Sequence, residues 1–327
     1  MFYIDGLLSR FLRYFLGNYI DIDFTLWVSW LLTPLFITIF LPLIILSMVY
    51  LSAIMLYMYR FGQWQRLKEI LTEEFTFWHR ARTVIATMWD AHGWVWHGYE
   101  VVNMDRIPDN SSALIIYYHG ALPVDLYYFL SKVFLVKNRL MHTVADNFLF
   151  RIPGLRILGE GLRVIPGTVK QCSDILQDNN IMAISPGGLY EAQLGDSYYK
   201  LMWRRRMGFA KVAIEAKVPI IPIFTRNIRE SFRTVGWLKS FWNKLYIYTR
   251  LPLVPIYGGF PVKLVTYVGE PIPYDPNLTP EELAKKVAYA VEDLIKTHQK
   301  TPGSILRGLL ERLPQNRRHY AYPWKSY

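Results

Sequence analysis

The chain has one cysteine, Cys172, in 327 residues. A lone thiol closes no internal disulfide and builds no cysteine-rich metal site, and it fits a reducing compartment. Charge is missing altogether from Phe24 to Tyr59. Acid is scarce throughout: 26 Asp and Glu face 37 Lys and Arg, a net charge of +11. Such an excess suits either nucleic acid or an anionic membrane. Zinc-finger spacing, RNP-like aromatics and a helix-turn-helix signal are all lacking, so no nucleic-acid partner is expected. Neither the P-loop nor the dinucleotide fingerprint occurs, which argues against a nucleotide site. The G-x-S-x-G elbow is missing as well, which removes the best support for a serine hydrolase of that type. No metal set and no tightly bound cofactor is expected.

What is present is apolar surface: 52% hydrophobic and 16% aromatic residues. The basic residues stand among Trp, Tyr and Leu, a pattern for a membrane surface. As one helix the uncharged run would reach about 54 Å, against roughly 30 Å of hydrocarbon core. It is too long for a secretory signal. Pro34 and Pro42 divide it, leaving two readings of residues 1–60: a single tilted span or, preferred, a hairpin. An amphipathic helix on the bilayer is expected within 1–23. Arg60, Arg66, Lys68, Arg80 and Arg82 follow the run and place its C-terminal flank in the cytosol. Residues 61–98, rich in Trp, read as an interfacial helical collar, with His79, His92 and His97 structural.

From residue 99 to about 300, short apolar runs alternate with helical stretches. Strands are expected at Tyr99–Asn103, Ala113–Tyr118, Met141–Ala145, Ile181–Ser185, Ile220–Phe224 and Lys263–Val268. Helices are expected at Asp125–Val136, Val169–Gln177, Arg205–Ala216 and Pro280–His298. The fold class that follows is α/β, a largely buried mixed sheet flanked by helices behind an N-terminal apolar membrane anchor. Arg233 to Pro261 is aromatic, basic and broken by prolines, a stretch suited to cover a cleft or rest on headgroups. Residues 301–327 read as a basic C-terminal tail.

Three blocks carry chemistry. His119 ends an apolar strand, Gly120 and Pro123 break regular structure, and Asp125 opens the next helix. A His and an Asp so placed can form a base and its orienting carboxylate, or a strand-end histidine with a nearby acid. Six residues apart, they can meet only if Gly120 to Pro123 form a loop. Pro186-Gly187-Gly188, with Glu191 beyond, again follows an apolar strand; paired glycines let amides approach a developing oxyanion. Ser185 as nucleophile is a weaker alternative. Arg204, Arg205 and Arg206 are either a solvated patch or a seat for phosphates.

His119…Asp125, Gly161 to Gly167, Pro186-Gly187-Gly188…Glu191 and Val218-Pro219-Ile220-Ile221-Pro222 occur in the order of the blocks of glycerolipid acyltransferases. The chain resembles that superfamily, and around Pro186 its diacylglycerol acyltransferase type 2-like branch. The resemblance implies fatty-acyl transfer from acyl-CoA, the co-substrate, to a lipid hydroxyl at the endoplasmic reticulum membrane, the domain facing the cytosol. It makes His119 the general base and Asp125 its orienting partner, with Gly187 and Gly188 as oxyanion donors. It also makes Arg204 to Arg206 candidate contacts for CoA phosphates. The family motif has four residues between His and Asp and this chain has five, so Glu191 becomes a second candidate partner. Phosphate-acceptor members carry Glu-Gly-Thr-Arg after the proline, whereas Gly187-Gly188-Leu189-Tyr190 stands here. The implied acceptor is therefore neutral, monoacylglycerol or diacylglycerol. The alternatives are a lysophospholipid acyltransferase and a non-catalytic lipid-binding membrane protein. Sequons at Asn110 and Asn277 offer a check, since a glycan on either would put the domain in the lumen.

Overall fold

The computed structural model describes residues 24–64, 74–146, 149–152, 159, 161–203, 206–249 and 251–313. The amphipathic stretch expected within 1–23 lies outside them. Helix α1, Phe24–Trp64, runs 41 residues without folding back, and Pro34 and Pro42 lie inside it. Of the two readings of the apolar run, the structure has the continuous helix and not the hairpin. Each proline removes one backbone hydrogen bond, yet neither turns the chain here. Within α1, Val28–Tyr57 is long and apolar enough to cross a membrane.

Helix α2, Glu74–His92, ends in a π-helical turn, Gly93–His97, closed by left-handed Gly98. Helix α2 packs on α3, Val124–Lys137. Here His92 bonds the Tyr128 hydroxyl at 2.8 Å, and His97 donates from Nδ1 to the Val262 carbonyl at 3.0 Å.

The main sheet holds β1 (Glu100–Val102), β2 (Ala113–Tyr117), β3 (Met141–Ala145), β4 (Val164–Pro166), β5 (Ile181–Ile184), β6 (Ile220–Arg226) and β9 (Val265–Val268). Their spatial order is β1-β9-β6-β2-β5-β3-β4. The five strands from β6 to β4 run parallel; β9 joins β6 antiparallel and β1 follows β9, so the sheet is mixed. Every residue of β2 and β6 is buried. Continuous Val/Ile/Leu-rich runs are what a strand covered on both faces requires.

From β2 the chain crosses through α3 to β3. It returns from β4 through α4 (Val169–Gln177) to β5, and then through α5 (Gly188–Leu194) and α6 (Gly208–Ala216) to β6. Right-handed crossovers put α3 on one face and α4 and α6 on the other. Helices α4 and α6 do pack together, and α9 (Pro280–His298) joins them against β6. Thr279 caps α9 through a reciprocal capping box with Glu282, a local signal that places this helix start at the expected residue. The connections leaving β2 and β5 depart to opposite faces, which makes a switch point beyond their carboxyl ends. That is where open α/β sheets bind ligands.

A second small sheet pairs β7 (Phe232–Thr234) with β8 (Ile256–Gly258), and α8 (Lys239–Thr249) lies between them in the chain. No strand was expected within Arg233 to Pro261; the two short strands form because Phe232, Arg233 and Thr234 pair with Gly258, Tyr257 and Ile256 across it. Beyond residue 300 the chain packs again on the domain. Helix α10 is Ile305–Leu310, Arg312 donates to the Trp96 carbonyl, and Glu311 pairs with Arg226 at 3.3 Å. Residues 301–313 are thus part of the domain rather than a solvated tail, and 314–327 lie outside the described residues.

Candidate active site

Three adjacent parallel strands, β6, β2 and β5, deliver their carboxyl ends to one place. His119 stands two residues past β2 and is half-buried. Its Nδ1 lies 2.7 Å from the Gly120 carbonyl. A carbonyl only accepts, so Nδ1 carries the proton and the lone pair is on Nε2. Nε2 has no partner among the described residues and is not closed off from solvent. Burial lowers the ring to about 4, offset in part by the Gly120 bond and assisted by the Arg229 charge. The imidazole is neutral at pH 7, with its basic nitrogen unpaired among the described residues.

The structure does not bring Asp125 to this ring. Asp125 is buried in the first turn of α3. One carboxylate oxygen, Oδ1, lacks a hydrogen bond, while the carboxyl takes one from Thr225. Thr225 in turn meets Thr266 at 2.8 Å, and Thr266 meets the Tyr99 hydroxyl at 2.7 Å. Asp125 therefore ends a buried hydroxyl chain, and burial raises it to about 7. The orienting role expected of it falls to the Gly120 carbonyl. The physical reason is local: His119 Nδ1 is taken by the adjacent Gly120 carbonyl, and the Asp125 carboxyl by Thr225 at the end of β6.

Glu191 comes closer but meets the backbone rather than the ring. Its Oε2 accepts the His119 amide at 3.0 Å and its Oε1 accepts the Met202 amide at 2.9 Å. Burial raises Glu191 to about 7 against the pull of these donors and of Arg229 and Arg206. Glu191 thus ties the β5 end to the β2 end. Gly187 is required for that tie, because a Cβ there would lie 2.4 Å from Glu191 Oε2.

Of the two expected oxyanion donors, the Gly188 amide already points at Ser185 Oγ, 3.4 Å away. The Gly187 amide has no acceptor among the described residues, which makes it the better-placed donor. Arg206 donates to the Pro186 and Gly187 carbonyls at 3.1 and 3.0 Å. It braces the turn as well as offering charge. Arg204 and Arg205 lie outside the described residues.

Arg229, which sequence reasoning passed over, connects everything. It lies in α7, Ile228–Ser231, directly after β6, and is 2% exposed. It donates to the carbonyls of His119, Glu191, Ala192 and Gly195, and to the Tyr118 hydroxyl. Gly195 must be glycine to admit it, since a Cβ there would lie 2.0 Å from the guanidinium. The one available signal was position: Arg229 follows the apolar strand of the Val218–Pro222 block by a few residues.

Comparison with known proteins places the chain in a family. Residues 98–226 match the sequence profile of the Acyltransferase family. A Bos taurus protein named "DGAT1/2-independent enzyme synthesizing storage lipids" is 49% identical over 89% of this chain and 85% of its own length. A Homo sapiens protein of the same name is 48% identical over 89% of this chain and 88% of its own. The chain belongs to this acyltransferase family. A solved structure, the 1-acyl-sn-glycerophosphate (LPA) acyltransferase PlsC from Thermotoga maritima, covers 76% of this chain and 96% of its own. Its identity is 15% and its TM-score 0.49. For an acyltransferase, a neutral imidazole with a free nitrogen and an amide without an acceptor are chemically apt groups: the first can take a proton and the second can receive a negative oxygen.

Proposed function

We propose that this acyltransferase moves a fatty acyl group from acyl-CoA to the hydroxyl of a neutral glycerolipid, monoacylglycerol or diacylglycerol. The observation that carries the reading is the tautomer of His119, with Nδ1–H held by Gly120 and Nε2 unpaired among the described residues. Nε2 takes the proton as the acceptor oxygen attacks the thioester carbonyl, and the oxyanion forms against the Gly187 amide. Collapse breaks the carbon–sulfur bond and the imidazolium returns its proton to the CoA thiolate. The names of the cattle and human relatives support a storage-lipid product. The neutral acceptor rests on Gly187-Gly188-Leu189-Tyr190, which offers no arginine for an acceptor phosphate. Exposed Arg206, with the two arginines before it, supplies positive charge for the CoA phosphates. Helix α1 and the basic composition support anchorage in a bilayer, which we assign to the endoplasmic reticulum with the domain on the cytosolic side.

A panel of acceptors with one acyl-CoA tests the substrate class. Turnover with mono- or diacylglycerol is expected to exceed that with lysophosphatidic acid or glycerol-3-phosphate by at least about tenfold, the worth of one lost charged hydrogen bond. Equal or faster acylation of the phosphate acceptors would overturn the neutral assignment.

A pH profile tests the base. A base works deprotonated, so kcat/KM falls as pH drops through its pKa. Because burial lowers His119 to about 4, activity limited by it should hold down to about pH 5. A limb at the ordinary imidazole value of about 6.5 would mean that the ring is solvated during turnover rather than buried.

A further inference from the structure

A helix on the surface of a soluble domain turns its polar side outward. Helix α8 does the opposite. Among its described side chains only Tyr246 is buried, with its ring 6.0 Å from Tyr190 of α5. The outward side and its flanks present Trp237, Phe241, Ile247, Tyr248, Leu251 and Leu253, with Tyr248 89% and Trp237 68% exposed. Charge on this stretch has one sign: Arg233, Lys239, Lys244 and Arg250 occur, and there is no Asp or Glu from Ser231 to Gly269.

This patch adjoins α1. Strand β8 packs against α1, and a Cβ on Gly259 would meet Leu41 at 2.4 Å. Trp96 donates its indole N–H to the Gly259 carbonyl at 2.8 Å, and its neighbours Trp94 and Val95 are exposed. The domain therefore grips α1 at Leu41, near the middle of the apolar stretch Val28–Tyr57. Leu41 is sixteen residues from Tyr57, about 24 Å along the helix axis. Beside a membrane-inserted α1, β8 and its neighbour α8 are too deep along the helix to stay in bulk water.

We infer that the β7–α8–β8 edge is a second membrane-docking element, seated in an anionic monolayer beside α1. Aromatic side chains at the headgroup level and Lys or Arg facing anionic lipid are the pattern such a seat requires. Through Tyr246 on Tyr190, and through the Val254 amide on Gln193 at 3.3 Å, docking would hold α5 and the Pro186–Gly188 turn at the lipid surface. This inference rests on the membrane reading of α1.

Cys172 is the single cysteine and is buried, so a cysteine placed elsewhere takes a thiol-reactive dye selectively. The test uses the full chain in vesicles of phosphatidylcholine and phosphatidylserine, with labels in Tyr248→Cys, in Phe36→Cys on α1, and in Tyr289→Cys on exposed α9. Doxyl-lipid quenching at 248 is expected to exceed that at 289 at least threefold, and to fall with Lys244→Glu or in vesicles of phosphatidylcholine alone. Quenching at 36 with none at 248 overturns the docking and leaves α1 in the membrane; quenching at neither overturns both. Shielding at 248 by a second copy, seen as dequenching on dilution with unlabelled protein and no doxyl effect, also overturns it. No acyl-CoA is present, so loss of the catalytic reading cannot mimic any of these results.

Discussion

Replacing His119 with alanine is expected to lower kcat for acyl transfer by roughly 10²–10⁴, the usual worth of a positioned general base. The fold should survive, because the ring is half-buried and its one bond is to the adjacent carbonyl of Gly120. The His119 amide and carbonyl, which Glu191 and Arg229 hold, remain in the variant. Single-turnover rates on reconstituted protein measure the loss, and circular dichroism verifies the fold. An unchanged rate would move the chemistry away from this residue and favour a lipid-binding protein. Asp125→Asn is the informative companion. Asp125 binds Thr225 rather than His119, and an amide of the same shape keeps that contact. Its effect on kcat should stay within about tenfold, far below that of His119→Ala. A loss as deep as that of His119→Ala would mean that the pair meets during turnover.

The second large effect is expected at Arg229, as a loss of stability. Its guanidinium is the donor for four carbonyls and one hydroxyl in a buried place. Alanine would leave them unsatisfied, at about 1–3 kcal/mol each. Even partial relaxation puts the cost of Arg229→Ala above about 4 kcal/mol, a large share of the 5–15 kcal/mol typical of a domain. Denaturant midpoints in detergent would read it. Lysine keeps the charge without the planar fork, so Arg229→Lys should be intermediate in stability. A positioning role adds a kinetic sign that plain destabilisation lacks. Arg229 helps hold His119 low, so folded Arg229→Met should move the acid limb of kcat/KM upward while Arg229→Lys leaves it in place. Identical limbs in both would reduce Arg229 to a structural brace.

Much of this architecture is local chemistry and so could be read along the chain. Helices α4 and α9 occupy the expected residues, because a cap at Thr168 or Thr279 and an apolar face are written within a few residues. Strands β2, β3 and β5 were legible as apolar runs between breakers. Strand β4 and the pair β7 and β8 were not, since each is three residues within stretches broken by glycine or proline and takes its form from the strand it pairs with. The same division holds at the site. His119, Pro186, Gly187, Gly188 and Glu191 stood out because turns after apolar strands are visible in sequence.

By itself, then, the sequence determined the strand-and-helix alternation, the uncharged apolar run near the N-terminus and the order of the blocks that mark the family, while the structure made that run one continuous helix. Only the tertiary structure decided which groups touch. It gave the His119 tautomer to Gly120, turned Asp125 to Thr225, used Glu191 on backbone amides and buried Arg229 among four carbonyls. Spacing along a chain fixes which strand end a residue occupies. Hydrogen-bond partners depend on how neighbouring strand ends and loops close in space, which is why Asp125, near His119 in sequence, meets Thr225 instead.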